Sequence, residues 1–487
     1  MNITRKIDKS ILKNIIILTF LFLAIMGAYS PAYINTYGFS DDYSTYFVAN
    51  LSHSNLIKWD VMSGRPAYAV MRYLAQKSIN TTADFTALRI ISVISIYTLC
   101  SYLYFFLKRA NFPGGVVSWV MTPLLLCCLP PIVLFSAWAT CFPYVTSILL
   151  AGISYSILNH CEKLNPSLRI TLSFLSLALS FSIYQPTGMS FSLFMLIDNC
   201  LNNTKIDYKK VIKNAIMIII GMLTSLILSK TLPELIYGES FQRSALAKSV
   251  KEKIIWFLDK PLHDSISNYI IFHDKFYFLI SLLLFASSIL FIYKQNSGWQ
   301  KVVLSLLIII GSFSPNLIIE EDWVSYRSLV SLYLCIGSVL AFGLSTLTNK
   351  FNIKNLALSS CAAFALISCV KFINTNFVEQ YNQEVVVLKT IIKEKISKHY
   401  DGYLIFDISD PVWNVFSKTK YDEIGSPSIQ IPWAIAGFSD ALRKEIHYSF
   451  KINSENPRES VVNLGSQDCL QNCTIIPVTE KLRELNK

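Results

Sequence analysis

Two adjacent carboxylates, Asp41 and Asp42, lie just past the first long apolar stretch in Gly38-Phe39-Ser40-Asp41-Asp42-Tyr43, and a short way downstream the chain reads Ser63-Gly64-Arg65-Pro66. An acid at a bilayer boundary can take a proton from a hydroxyl, and an arginine set in a Gly/Pro turn can meet a phosphate with a fork of N–H donors. That pairing suits chemistry on a membrane-bound phosphorylated substrate. Further arginines (Arg72, Arg243, Arg327) and aromatics (Tyr43, Tyr46, Trp59, Trp138, Tyr184, Trp323, Trp413, Trp433) fall on the same side of the apolar runs. Sugar transfer onto a hydroxyl needs three such elements. A carboxylate takes the acceptor proton, a cation stabilises the leaving phosphate, and flat apolar faces stack on sugar rings.

Each residue also has a plainer reading. An acid pair after a helix can be a solvated loop or the N-cap of the next helix. Arg65 can be structural, and Arg327, close to Glu320, Glu321 and Asp322, can be a surface ion-pair partner. Tyr and Trp near bilayer boundaries commonly anchor in the headgroup layer. The rest of the chain carries no P-loop, dinucleotide-binding glycine fingerprint or paired-cysteine zinc site, and its six histidines have no metal-ligand spacing. Two adjacent carboxylates could hold a divalent metal, but without other oxygen ligands they make a poor site, so metal independence is favoured and no cofactor is expected.

The elements that must position these residues are membrane spans. Of 487 residues, 53% are hydrophobic and 15% charged, too apolar for an ordinary soluble protein. The net charge of +11 comes from lysines and arginines in short loops between apolar runs, not from one basic face, which argues against nucleic acid as a partner. Counting about twenty apolar residues per span gives about eleven candidates. They lie near 14–33, 86–107, 115–135, 140–158, 170–184, 188–201, 214–232, 275–293, 302–319, 329–347 and 356–373. The first has a basic start but no small-residue cleavage signature after it, and reads as a retained anchor.

Basic residues set the orientation. Arg5, Lys6, Lys9 and Lys13 share a side with Lys108 and Arg109, Lys163 and Arg169, Lys205 to Lys213, Lys294 and Lys301, and Lys350 and Lys354. That side is predicted cytoplasmic. The opposite side then holds loops near 34–85 and 233–274, the acidic turn at 320–322, and the tail. The expected fold is an all-α polytopic membrane protein, with a catalytic domain over 1–373 and a small α/β domain over 374–487. Within the tail, Gly402 to Asp407 reads as a strand, Glu384 to Lys398 as a helix, and Asp410-Pro411 and Asn456-Pro457 as turns. Nine of the eleven cysteines lie in or beside apolar stretches. Cys469 and Cys473 lie in polar sequence, and a local disulfide is expected there.

The run Phe39-Ser40-Asp41-Asp42-Tyr43, then Trp59, then Gly64-Arg65-Pro66, resembles the N-terminal signature of the bacterial serotype-converting O-antigen glucosyltransferases. Tyr184-Gln185 at an outer hairpin end, Arg327 opening a late span, the long first outer loop and the outer tail are similar too. Around Trp138 and Pro143 the match is loose, and the tail is too variable to carry residues over. The resemblance implies a GT-C-like enzyme of the bacterial inner membrane. It would move glucose from a polyprenyl-phosphate carrier to lipid-linked O-antigen repeats at the periplasmic face, inverting configuration, with a cytoplasmic N-terminus and a periplasmic C-terminus. Asp41 or Asp42 would be the base. Arg65, Arg243 and Arg327 would meet the donor phosphate, and Tyr43, Trp59, Trp138, Tyr184, Gln185 and Trp323 would contact sugar. A separate enzyme would charge the carrier and a flippase would turn it over.

Two other classes remain open. A lipid-linked-sugar flippase would place ionisable residues at mid-membrane, where these spans hold almost none. An O-antigen polymerase or ligase would share the spans and outer arginines but would lack the Asp-Asp to Gly-Arg-Pro arrangement.

Overall fold

The computed structural model describes residues 2–52, 56–239, 246–267, 275–408, 412–413, 415–416, 421, 424–452, 461–462 and 473–485. Among them, eight helices are long and apolar enough to cross a bilayer: Ser10–Ala28, Thr82–Arg109, Ala139–His160, Pro166–Ile183, Tyr208–Tyr237, Phe276–Tyr293, Tyr326–Lys350 and Lys354–Lys395. A ninth span results if Gly115–Cys127 and Pro130–Ala137, bent by 58° at their junction, count as one. The chain is a helical membrane protein.

The expected eleven spans are therefore not all present as continuous crossing helices. Near 188–201 the helix is Phe191–Asn199, nine residues long, preceded by the short turn Gln185–Gly188. Near 302–319 it is Gly298–Gly311, 14 residues, followed by Ser314–Ile318. A nine-residue helix is about 14 Å long, less than half the hydrocarbon thickness. Proline sits in the first turn of Pro130–Ala137, Gln185–Gly188 and Ser314–Ile318. It lacks an N–H and starts helices better than it continues them.

Tyr326–Lys350 is the central element, with 89% of its apolar window buried, against 17% for Ser10–Ala28 and for Phe276–Tyr293. Hydroxyls fasten the spans to one another. Ser147 Oγ lies 2.9 Å from Ser180 Oγ and 2.6 Å from Thr187 Oγ1, Ser154 pairs with Ser173, Ser190 with Ser331, and Ser118 with Ser345. In lipid there is no water to drive helices together, so close packing and such bonds carry the association.

The outer segment after the first span is helical, with Asp41–Phe47, Ile57–Met62 and Pro66–Gln76. A capping box at Thr81 and Asp84 then launches helix Phe85–Arg109.

The expected domain boundary at 373/374 falls inside a continuous helical run. Lys354–Ile373 passes through a single π turn at Asn374–Val378 into Glu379–Lys395. Beyond it lies a parallel sheet in which β1 (His399–Asp407) pairs with each of β2 (Ser449–Lys451), β3 (Val461–Val462) and β4 (Cys473–Ile476). Alternation along β1 buries Leu404 and Phe406 and leaves Tyr403 exposed. Leu388, Ile392, Leu404, Phe406, Ile435, Phe438 and Ile476 form the tail's core together with Tyr43, Phe47 and Val48 from the first outer segment. A Cβ on Gly437 would meet the Tyr43 carbonyl oxygen at 2.1 Å, so only glycine admits this approach. Cys473 is disulfide-bonded. Its expected partner Cys469 lies outside the described residues, as does Arg243.

Candidate active site

The two adjacent acids have separate environments. Asp42 is fully buried, and both its oxygens are taken. Oδ1 accepts the Thr140 N–H at 2.9 Å, and Oδ2 accepts the Phe39 N–H at 3.1 Å and lies 3.4 Å from the Arg89 guanidinium. Arg89, itself buried in helix Phe85–Arg109, also donates to the carbonyls of Ala137 and Tyr37 and covers the Tyr37 ring at 3.5 Å. This cluster satisfies backbone groups freed where Pro130–Ala137 ends. Burial pushes the Asp42 carboxyl up to about 6, against the pull of Arg89 and the backbone donors. Asp42 thus ties the first outer loop to the broken span.

Asp41 faces the other way. It is half-buried at the start of helix Asp41–Phe47, and its Oδ1 accepts the indole N–H of Trp433, from the tail, at 2.9 Å. Its Oδ2 takes no hydrogen bond from the described residues. The arginine fork of Arg72 holds this helix from below. Arg72 donates to Thr45 Oγ1 at 2.7 Å, to Ser44 Oγ at 3.1 Å and to the Asp41 carbonyl at 3.4 Å. Its remaining nitrogen reaches Asp60 Oδ1 at 3.3 Å.

Asp60, on Ile57–Met62, did not stand out in the sequence because it sits alone in an unremarkable Lys-Trp-Asp-Val run. It is nevertheless 3% exposed. Burial raises its carboxyl above the usual range, Arg72 and then Arg65 pull it back, and Asp41 adds an upward push. Those opposing influences place Asp41, Asp60, Arg65 and Arg72 in one electrostatic cluster.

Arg65 follows Gly64, whose φ of +74° makes the turn. The Arg65 N–H closes that turn on the Asp60 carbonyl at 3.0 Å, and Gln185 Nε2 clasps the Gly64 carbonyl at 2.6 Å. The Arg65 guanidinium lies over the Tyr184 ring at 4.7 Å. Tyr184 stacks on Tyr144 at 4.4 Å and 10°. Arg327, at the start of the central helix, lies over the Trp138 ring at 4.4 Å. It is near enough to Arg65 for the two cations to repel. Two arginines over aromatic rings, with Asp60 near Arg65, gather positive charge suited to an anion.

The structure therefore draws Arg65, Arg327, Trp138, Tyr184 and Gln185 together, with Asp41 linked to Arg65 through Asp60. Trp138 is fully buried and packs edge-on against Phe39, so it supports Arg327 instead of offering an open face. Tyr43 is also fully buried, stacked on Phe438 at 4.5 Å, and it joins the tail to the outer helix. Trp59 and Trp323 are 47% and 45% exposed on the surface. Among the described residues no group of three or more His, Cys, Asp or Glu comes together as a metal site.

No family model matches the chain, and no curated protein matches it.

Proposed function

We propose that the protein is an inverting, GT-C-like glycosyltransferase. It moves glucose from polyprenyl-phosphate-glucose to lipid-linked O-antigen repeats at the periplasmic face of the bacterial inner membrane. The observation that carries this reading is the approach of Arg65 and Arg327 to each other over Tyr184 and Trp138, with Asp60 electrostatically linked to both Arg65 and Asp41. An anion site flanked by an accessible carboxylate at the mouth of a helical membrane protein matches a lipid phosphate donor and a hydroxyl acceptor.

On this reading Asp41 takes the proton of an acceptor hydroxyl, whose oxygen attacks the anomeric carbon opposite the phosphate. The bond from that carbon to the phosphate oxygen breaks, and the lipid phosphate leaves with the electron pair. One displacement inverts the configuration, and Arg65 and Arg327 meet the charge that develops on the leaving group. Asp42, with its oxygens occupied, holds the loop.

The short and bent segments count with the long ones toward about eleven spans, with the N-terminus in the cytoplasm and the tail in the periplasm. Charging and flipping of the carrier fall to other proteins. Purified protein in lipid should transfer glucose from polyprenyl-phosphate-glucose and be inert with UDP-glucose. Direct use of UDP-glucose, or no transfer from the lipid donor to lipid-linked O-antigen, would overturn the assignment.

A further inference from the structure

Within the donor site two buried polar atoms of opposite sense have no partner among the described residues. Asp60 Oδ1 is held by Arg72, but its Oδ2 is buried and accepts no hydrogen bond. The Nε of Arg65 is buried and donates none. The two residues are locked to each other through the backbone, since the Arg65 N–H bonds the Asp60 carbonyl at 3.0 Å, and Gly64 between them makes the left-handed turn that returns the chain. A buried carboxylate oxygen left unsatisfied is costly, so a ligand or an ordered water completes it in the working protein.

We propose that Asp60 is a sugar-binding residue of this site, whose Oδ2 accepts a hydroxyl of the transferred hexose while Arg65 Nε donates to the phosphate of the same donor. The proposal rests on the donor reading above and adds to it a group that recognises the sugar itself. A sugar phosphate offers hydroxyl donors and phosphate acceptors a few ångströms apart, and Asp60 and Arg65, near enough for their charges to attract, present one unpartnered acceptor and one unpartnered donor. Asp41 is already engaged by Trp433 from the tail, whereas Asp60 is held by Arg72. A fixed, buried carboxylate of this kind discriminates by hydroxyl, because a donor lacking that hydroxyl leaves the oxygen unsatisfied again.

The test uses the full-length protein in lipid with a series of polyprenyl-phosphate donors, the intact glucose donor and its 2-, 3-, 4- and 6-deoxy analogues. Wild type should lose roughly 100-fold in kcat/KM with one of these analogues, the loss expected when a hydrogen bond to a charged group is forfeited. Asp60→Asn should fall by a similar factor with the intact donor and no longer distinguish it from that analogue. Equal use of all four deoxy donors by the wild type would overturn the proposal without any variant. A folded Asp60→Asn protein that keeps the wild-type discrimination would also overturn it and leave Asp60 as a support for Arg72. Should wild type be inert with the intact donor, the parent reading fails and this one with it.

Discussion

At the scale of single residues, adjacency in sequence says little about equivalence. Asp41 and Asp42 are neighbours, yet one opens to the site and the other closes a buried cluster with Arg89. Asp41→Asn should abolish transfer and leave the melting temperature within a degree or two of wild type, because an amide keeps the shape and cannot take the proton. Asp42→Asn should do the reverse. It turns one of the two acceptor oxygens into a donor facing the Thr140 N–H or the Phe39 N–H, with a stability loss of about 1–3 kcal/mol, while the protein that remains folded keeps transfer activity. A stable but inactive Asp42→Asn protein would exchange the two roles.

Asp42 also gives a pH dependence. Its carboxyl lies near 6 in the fold and at about 3.9 in an unfolded chain. Between those values the unfolded state gives up its proton first, so stability falls as pH rises from about 4 to about 6 and levels off above. The gap corresponds to about 3 kcal/mol. Melting in detergent across that range should follow this fall in wild type and lose it in Asp42→Asn. For the arginines, Arg65→Lys and Arg327→Lys should each cost activity, since charge is kept but the planar fork and its stacking on Tyr184 or Trp138 are lost. Wild-type rates for both lysine variants would make these arginines structural.

At the scale of elements, breaks position the chemistry. The turn at Gly64 sets Arg65 against Asp60 and Tyr184, and a Cβ there would meet Ser229 Cβ at 2.6 Å and Gln185 Nε2 at 2.9 Å in a backbone conformation that L-residues disfavour. Gly64→Ala should cost about 1–2 kcal/mol from the backbone alone and more from the clash with helix Tyr208–Tyr237. Because Arg65 moves with the turn, the KM for the lipid donor should rise in the folded fraction. An unchanged KM would separate the turn from donor binding. Pro130 and Pro131 act in the same way on the opposite wall. They end one apolar helix and start another at 58°, which brings Trp138 under Arg327 and the Thr140 N–H onto Asp42.

At the scale of the whole molecule, the tail is part of the site. Trp433 donates to Asp41, Gly437 lies against Tyr43, and the tail's core is completed by the first outer helix. Trp433→Phe keeps the ring and removes the donor, so it should lower kcat more than the donor KM, because the Asp41 carboxylate loses the hydrogen bond that fixes its orientation. A Trp433→Phe enzyme with wild-type kcat would mean the contact has no role in positioning the carboxylate. A reporter placed after Lys487 should register the periplasm.

What the sequence by itself determined was what local physics can decide. Apolar run length marked the segments that became helices, proline marked where they break, and alternation marked β1. The Gly-Arg-Pro turn was visible because glycine and proline restrict the backbone wherever they occur. The number of continuous spans was not legible, because whether a proline bends a helix or ends it depends on the partners around it. Nor were the separate fates of Asp41 and Asp42, the buried partner Arg89, or Asp60, which has no neighbouring acid and no motif. Burial and pairing of a charge are set by what the rest of the chain brings within a few ångströms, and for these residues that came from helices far away in sequence and from the tail.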